Sequence, residues 1–269
     1  MVLLLLSSPI SHAPKMNVSF GQGEMAILIF WSIDMKYKLK ILYEDNHIIV
    51  IEKQPGVLSQ PDTTGAPNLV DMVKEYLRIK YEKPGEAYVG LVQRLDRPVG
   101  GVMVLAKTSK AFIRLQDQMK ARTIKKHYLA VSGFAPPKDE DELKHFLLKH
   151  ESINRTSVYE EPLEGAKDSR LKYKLLGTHD GRYIFDIQLI TGRSHQIRSQ
   201  MAHIGCPLLG DVKYGNNLTK LGYLLALYAY SLSFDHPTLK ERMTFLNYPK
   251  SKEYWTGLDI FFPKENSDH

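Results

Sequence analysis

Leu171-Lys172-Tyr173-Lys174-Leu175 alternates apolar and polar residues, and after Asp180-Gly181 the residues Tyr183, Phe185, Ile187 and Leu189 recur at every second position. Period two marks a strand with one buried face, and Asp-Gly between two such runs is a hairpin turn. The pattern extends in both directions. Upstream, Lys126–Val131 reads as a strand ending at Gly133, and Tyr88–Leu95 and Val102–Ala106 read as buried strands joined by a loop, Asp96–Gly101. Further upstream, Lys38–Tyr43 and His47–Glu52 flank the polar cluster Glu44-Asp45-Asn46, which predicts another hairpin. Downstream, Leu224–Phe234 is the last long strand. Three helices interrupt the strands. One runs from the cap Asn68 to about Tyr81, one covers Ser109–Arg122, and one starts near Ser194 and stops at Gly205 before Pro207. Pro136–Glu142 is expected to be a solvated acidic connection. No repeat breaks the series, so the chain predicts one continuous α+β domain from about 36 to 263, followed by a short tail, 264–269.

With 43% hydrophobic residues the 269-residue chain can bury one sizeable core, and its net charge of +6 favours a polyanionic partner. The single cysteine, Cys206, can form neither an internal disulfide nor a Cys-rich zinc site, which sets a reducing, cytoplasmic location as the expectation. No P-loop and no helical His pair is present, so no metal and no cofactor is expected. The apolar runs Val2–Leu6 and Ala26–Ile33 are too short to span a bilayer, and no membrane partner is expected. Residues 1–35 read as an N-terminal extension, with Met35 as the expected start of the working protein.

Two clusters carry chemistry. In Gln93-Arg94-Leu95-Asp96-Arg97 a carboxylate stands between two arginines in a loop bounded by buried strands. Loops held by a rigid sheet are where function collects, although a salt-bridged turn would have the same composition. In Thr191-Gly192-Arg193-Ser194-His195-Gln196-Ile197-Arg198 a strand passes through a Gly turn into a helix. Its free N–H groups, its dipole and the charge of Arg193 suit a carboxylate or phosphate. The plainer reading makes His195 and Gln196 capping residues and Arg198 part of a solvated helix face.

Taken together, the clusters resemble the RluA-type pseudouridine synthases. Lys40–His47 running on to Lys53-Gln54-Pro55-Gly56 is similar to the family's first signature, and Gln93–Gly101 to its catalytic signature, His-Arg-Leu-Asp-Arg, one residue, then Thr-Ser-Gly. Lys126-His127-Tyr128-Leu129-Ala130 looks like its tyrosine motif, and Thr191–Arg198, continuing through Asp211 to Tyr214-Gly215, like its third signature. Four motifs occur in order over residues 40–237. Gln93 stands where the family usually has His, Pro98-Val99-Gly100-Gly101 replaces the stretch ending in Thr-Ser-Gly, and Tyr228 stands where a His is common.

The resemblance implies a mixed, largely antiparallel sheet flanked by helices, ribosomal or transfer RNA as partner, and isomerisation of uridine without a cofactor. It implies that Asp96 is the nucleophile, Arg193 the guanidinium that favours its ionised form, and Tyr128 the ring that stacks on uracil and takes the C5 proton directly or through water. Ile197 would wall the pocket and Arg94 would fill the place of the extruded base, with Arg97, His195 and Arg198 also on the substrate side. Lys107, Lys110, Arg114, Lys120, Arg122, Lys125 and Lys126 would hold the RNA backbone. A monomer is the default. The rivals are an RNA-binding or RNA-chaperone protein that keeps the fold without activity, and a hydrolase using Asp96 with His195.

Overall fold

Asp45 begins the sheet by turning the chain between β1 (Lys40–Glu44) and β2 (Ile48–Lys53), its Oδ1 accepting from the backbone N–H groups of His47 and Ile48 at 2.7 and 2.8 Å. The computed structural model describes residues 39–215, 224–250 and 252–264. The expected N-terminal extension and Met35 start lie outside the described residues, as do residues 36–38 and all of the tail except Lys264. α1 (Leu69–Lys80) starts where the Asn68 side chain accepts from the Asp71 N–H, a cap that contributes about 1 kcal/mol. β3 (Gly90–Leu91) and β4 (Gly100–Ala106) lead into α2 (Ser109–Lys120), capped by Thr108. Then come β5 (Lys125–Ser132), β6 (Glu140–His150), β7 (Arg155–Tyr159), β8 (Lys167–His179), β9 (Arg182–Leu189), α3 (Gln196–His203), β10 (Leu227–Asp235) and β11 (Arg242–Leu246).

The strands form one mixed sheet in the order β1-β2-β4-β10-β5-β9-β8-β6-β7, with β3 also on β4 and β11 also on β10. Every pairing among the described strands is antiparallel except β4 with β10. Ala111 and Leu115 of α2 pack with Val50 and Val104 on one side, while Leu129, Val131 and Tyr230 pack against Tyr254, Trp255 and Leu258 of the C-terminal segment.

Three expectations need correction. Tyr88–Leu95 keeps only Gly90–Leu91 as strand, because the Leu95 N–H and carbonyl bond the Ser59 hydroxyl at 3.0 and 2.7 Å instead of a neighbouring strand. The acidic connection ends earlier than expected, since β6 begins at Glu140 and pairs with β8 from Lys174 onward. Lys107 does not face solvent: its Nζ donates to Glu44 Oε1 at 2.6 Å and to the Asp45 carbonyl at 2.5 Å, so it fastens the first hairpin and is not available to an RNA backbone.

The loop before β4 is fixed from beneath by Lys53. Its side chain is fully buried, and Nζ donates to the carbonyls of Gln54 and Arg97 at 3.3 and 3.2 Å. Gly56 N–H donates to the same Arg97 carbonyl at 2.8 Å, while Arg97 Nε returns to the Gly56 carbonyl at 3.1 Å. Gly101, at φ +132°, is required where β4 meets β10, because a Cβ there would lie 2.2 Å from the Ala229 carbonyl oxygen. A Cβ on Gly100 would lie 2.9 Å from Pro55 and 3.0 Å from the Tyr228 ring, its partner across β10. A side chain at 100 would therefore meet both Pro55 and the aromatic ring that stands at 228.

Gly100→Ser is accordingly expected to cost about 2 kcal/mol in urea unfolding, and distinctly less when introduced together with Tyr228→His. Equal costs in the two backgrounds would place the clash on Pro55 alone. Burial also pushes the Lys53 ammonium down to about 7, the nearby Asp96 carboxylate opposing this only in part. Below that pH both folded and unfolded states hold the proton and the burial penalty is carried in full. Between about 7 and the ordinary 10.5 only the unfolded state holds it, so stability rises with pH. Urea midpoints at pH 6.5, 8 and 9.5 are expected to show the protein gaining roughly 2 to 3 kcal/mol relative to Lys53→Met; parallel midpoints would contradict this.

Candidate functional site

Asp96, Tyr128, Ile197 and Arg198 line one cleft of about 910 Å³, with Arg94 and Arg193 also on its wall. Asp96 comes from the loop before β4, Tyr128 from β5, and Ile197 and Arg198 from the first turn of α3. The three segments meet because β10 separates β4 from β5 and the chain leaving β9 turns back into α3.

Arg198 organises the cleft. It is buried, its Nε and Nη2 grip Asp211 at 2.7 Å each, and its Nη1 reaches Asp96 Oδ2 at 3.3 Å. A guanidinium presents a planar fork, so one carboxylate can take two of its N–H groups while a third faces elsewhere. Asp211 Oδ1 also accepts from the backbone N–H groups of Lys213 and Tyr214 at 2.9 and 3.0 Å, which hold it in place. Burial works against the Asp211 carboxylate, and the Arg198 contacts overcome it, leaving the group below its ordinary value.

Arg193 was the expected partner of Asp96, and the structure places it elsewhere. Its side chain is exposed, and Nε donates to the Asp168 carbonyl at 3.1 Å. Arg198, which the plainer reading put on a solvated face, is the cation beside the carboxylate. The reason is geometric: Gln196 accepts from Arg193 N–H and from the Thr191 hydroxyl at 3.0 and 2.8 Å, closing the turn so that Ile197 and Arg198 face inward.

His195 caps the helix in the left-handed region, φ 52°, without using its side chain as the cap. Its imidazole instead spans the site, Nδ1 2.9 Å from the Tyr214 hydroxyl and Nε2 3.8 Å from Asp96 Oδ2. Burial lowers its pKa despite Asp96, so the ring is neutral near pH 7. Tyr214 is fixed in turn by the Thr156 N–H, which donates to its hydroxyl at 2.7 Å. The Tyr128 ring is buried, and desolvation, then the Asp96 charge, pushes its phenol well above the ordinary value, so it stays protonated.

Among the expected backbone contacts, Lys110, Arg114, Lys120, Arg122 and Lys125 are exposed on or just after α2. Arg114 also donates to the Pro237 carbonyl at 2.7 Å. Lys126 is buried on the cleft wall beneath Gly192, two residues from Tyr128 on the same strand face, and burial drops its pKa to about 8. It belongs to the cleft and not to the outer surface. Arg94 is exposed, with no hydrogen bond or ion pair of its guanidinium among the described residues. Arg97 is spent on Gly56. Sequence reasoning gave no role to Lys53, Ser59, Asp211 or Tyr214. Lys53, Asp211 and Tyr214 sit inside the motifs quoted for the resemblance, which is the one signal that marked them; Ser59 had none.

The family described as RNA pseudouridylate synthase matches residues 47–203. An uncharacterized RNA pseudouridine synthase of Bacillus subtilis, YjbO, is 35% identical over 214 residues, covering 77% of this chain and 71% of that protein. Ribosomal large subunit pseudouridine synthase C of Rickettsia felis is 32% identical over 75% of this chain and 65% of its own. The structure of human RNA pseudouridylate synthase domain containing 4 superposes with a TM-score of 0.67 at 21% identity, over 84% of this chain and 94% of that one, a likeness of fold. No helix among the described residues is long and apolar enough to cross a membrane. A match that takes in the Asp96 loop, the Tyr128 strand and the Arg198 helix places the chain in the RNA pseudouridylate synthase family, as an isomerase acting on RNA.

Proposed function

We propose that the enzyme isomerises uridine in ribosomal or transfer RNA with Asp96 as nucleophile and Arg198, not Arg193, as the guanidinium that pairs with it and aims it. The observation that carries this reading is the 3.3 Å approach of Arg198 Nη1 to Asp96 Oδ2 on the wall of the cleft that Tyr128 also lines. Because Asp211 takes two of the N–H groups of Arg198, Asp96 shares its guanidinium by one longer contact and keeps an oxygen free to attack. Attack at the sugar or at the base is followed by cleavage of the bond from N1 to the sugar, rotation of the uracil, and bonding of C5 to the same carbon. The C5 proton leaves, N1 gains one, and the carboxylate is regenerated.

Tyr128, kept protonated by burial, stacks on the uracil; as a weak base it takes the C5 proton only while passing its own to water. Ile197 supplies an apolar wall. Arg94, exposed and uncommitted, is positioned to occupy the space of the extruded base. The basic side chains along α2 continue the cleft outward as a track for phosphates. Ribosomal RNA is favoured over transfer RNA by the names of relatives that act on the large ribosomal subunit.

Release of tritium from RNA labelled at uridine C5 tests the assignment. The intact enzyme is expected to release label from unmodified ribosomal RNA, and Asp96→Asn to lose at least about 10³-fold. Arg198→Lys, which keeps the charge but not the fork, is expected to lose more than about 10²-fold, and Arg193→Ala less than about tenfold. Activity surviving in Asp96→Asn would remove the nucleophile assignment. Tight, salt-dependent binding by every variant with no release by any would favour the non-catalytic RNA-binding reading.

A further inference from the structure

On the far side of α3 from the cleft, three side chains from separate parts of the chain converge. His145 comes from the middle of β6, Glu160 follows the end of β7, and His203 is the last residue of α3. His203 Nε2 lies 2.6 Å and His145 Nε2 3.5 Å from the same oxygen, Glu160 Oε1. The two imidazoles stand edge to face with centroids 5.0 Å apart, and the three donor atoms all lie within 4.8 Å of one another. We propose that His145, Glu160 and His203 form a binding site for a divalent cation of the zinc class.

Donors about 2.1 Å from a tetrahedral ion stand about 3.4 Å apart, so this triangle needs only small side-chain shifts to close on one. Glu160 and His203 are free to make them, their side chains being 66% and 35% exposed. Two imidazoles and a carboxylate select zinc, copper or nickel over magnesium or calcium, and the exposed side leaves a position for water. An ordinary ion pair between His203 and Glu160 would explain neither the second imidazole nor Gln200. That residue lies one turn before His203, is fully buried, and sets its amide nitrogen 3.0 Å from His145 Nδ1, while its Oε1 is without a partner. A histidine ligating through Nε2 carries its proton on Nδ1 and gives it to an oxygen. Turning the Gln200 amide by half a rotation supplies that oxygen, at the cost of the 3.4 Å contact to the Ser169 carbonyl and with the amide nitrogen taking the place where Oε1 has no partner.

None of the three donors lines the cleft. The ion is structural: it ties the end of α3, the helix that presents Ile197 and Arg198, to β6 and to the segment after β7. Donors at 145, 160 and 203 share no motif spacing, so the sequence gives no sign of a metal.

The test is titration calorimetry of the chelator-treated full chain, without a histidine tag, using zinc chloride and, separately, magnesium chloride. One equivalent of zinc is expected to bind in the micromolar range, with no saturable uptake of magnesium. A hundredfold excess of zinc over Kd should raise Tm by about 5 °C. His203→Ala and Glu160→Gln, both at exposed positions, are each expected to weaken zinc binding at least about tenfold while leaving the metal-free Tm unchanged. Absence of saturable zinc binding, or undiminished affinity in either variant, would overturn the proposal.

Discussion

The buried guanidinium of Arg198 is the constraint on which the cleft is built. A charge taken out of water must be matched nearby, and leaving it single costs about 3 to 5 kcal/mol. Asp211 provides the match with two 2.7 Å contacts and is itself held by two backbone N–H groups, so the pair is rigid without Asp96. Asp96 therefore bears no structural duty to Arg198. It is the second carboxylate on an already neutralised cation, so it sits beside a buried charge without the fold depending on it.

The sheet makes the meeting possible. Strands from distant parts of the chain become neighbours where β10 inserts between β4 and β5, and the parallel pairing with β4 brings the start of that strand to the middle of the sheet. Only glycine tolerates the approach at 101, so the loop that carries Asp96 leaves the sheet at a fixed point. Lys53 and Ser59 then fasten the loop from below through backbone groups, leaving its side chains free to differ. The altered residues at 93 and 98–101 fall within this arrangement: Gly100 fits between Pro55 and the Tyr228 ring, and Gln93 makes only a 3.5 Å contact with the Val102 carbonyl.

How much of this was legible follows from how far each interaction reaches along the chain. Asn68, Thr108 and Asp45 act within three residues of themselves, and the helices and hairpin they define stand where the pattern put them. The α+β class was legible from the same local patterns, whereas the largely antiparallel pairing was expected only from the family resemblance. Residues 143–170 were not, because β6 and β7 mix polar residues on a partly exposed sheet end and carry no Asn-Gly or Asp-Gly turn. The pairing of Arg198 with Asp96 and of Lys107 with Glu44 was not legible because the partners are far away in sequence: Asp96 lies 102 residues from one, and Glu44 lies 63 from the other. Periodicity can say that a cation is on a helix face or follows a strand, but not that a carboxylate waits there.

Three lysines show how burial sorts residues of one type into different tasks. Lys107 meets a full carboxylate and becomes a strut. Lys53 meets only carbonyls, so burial strips much of its hold on a proton, and it serves as a donor to backbone whatever its charge. Lys126 is buried like Lys53 but stands on the cleft wall, its affinity for a proton lowered for want of an anion. A value of about 8 still leaves Lys126 largely protonated near pH 7, so it stands on the cleft wall as a buried cation with no anion beside it. The basic side chains of α2 stand exposed outside the cleft, whereas Lys126 is enclosed by it, so one residue type serves as solvated surface in one place and as cleft wall in the other.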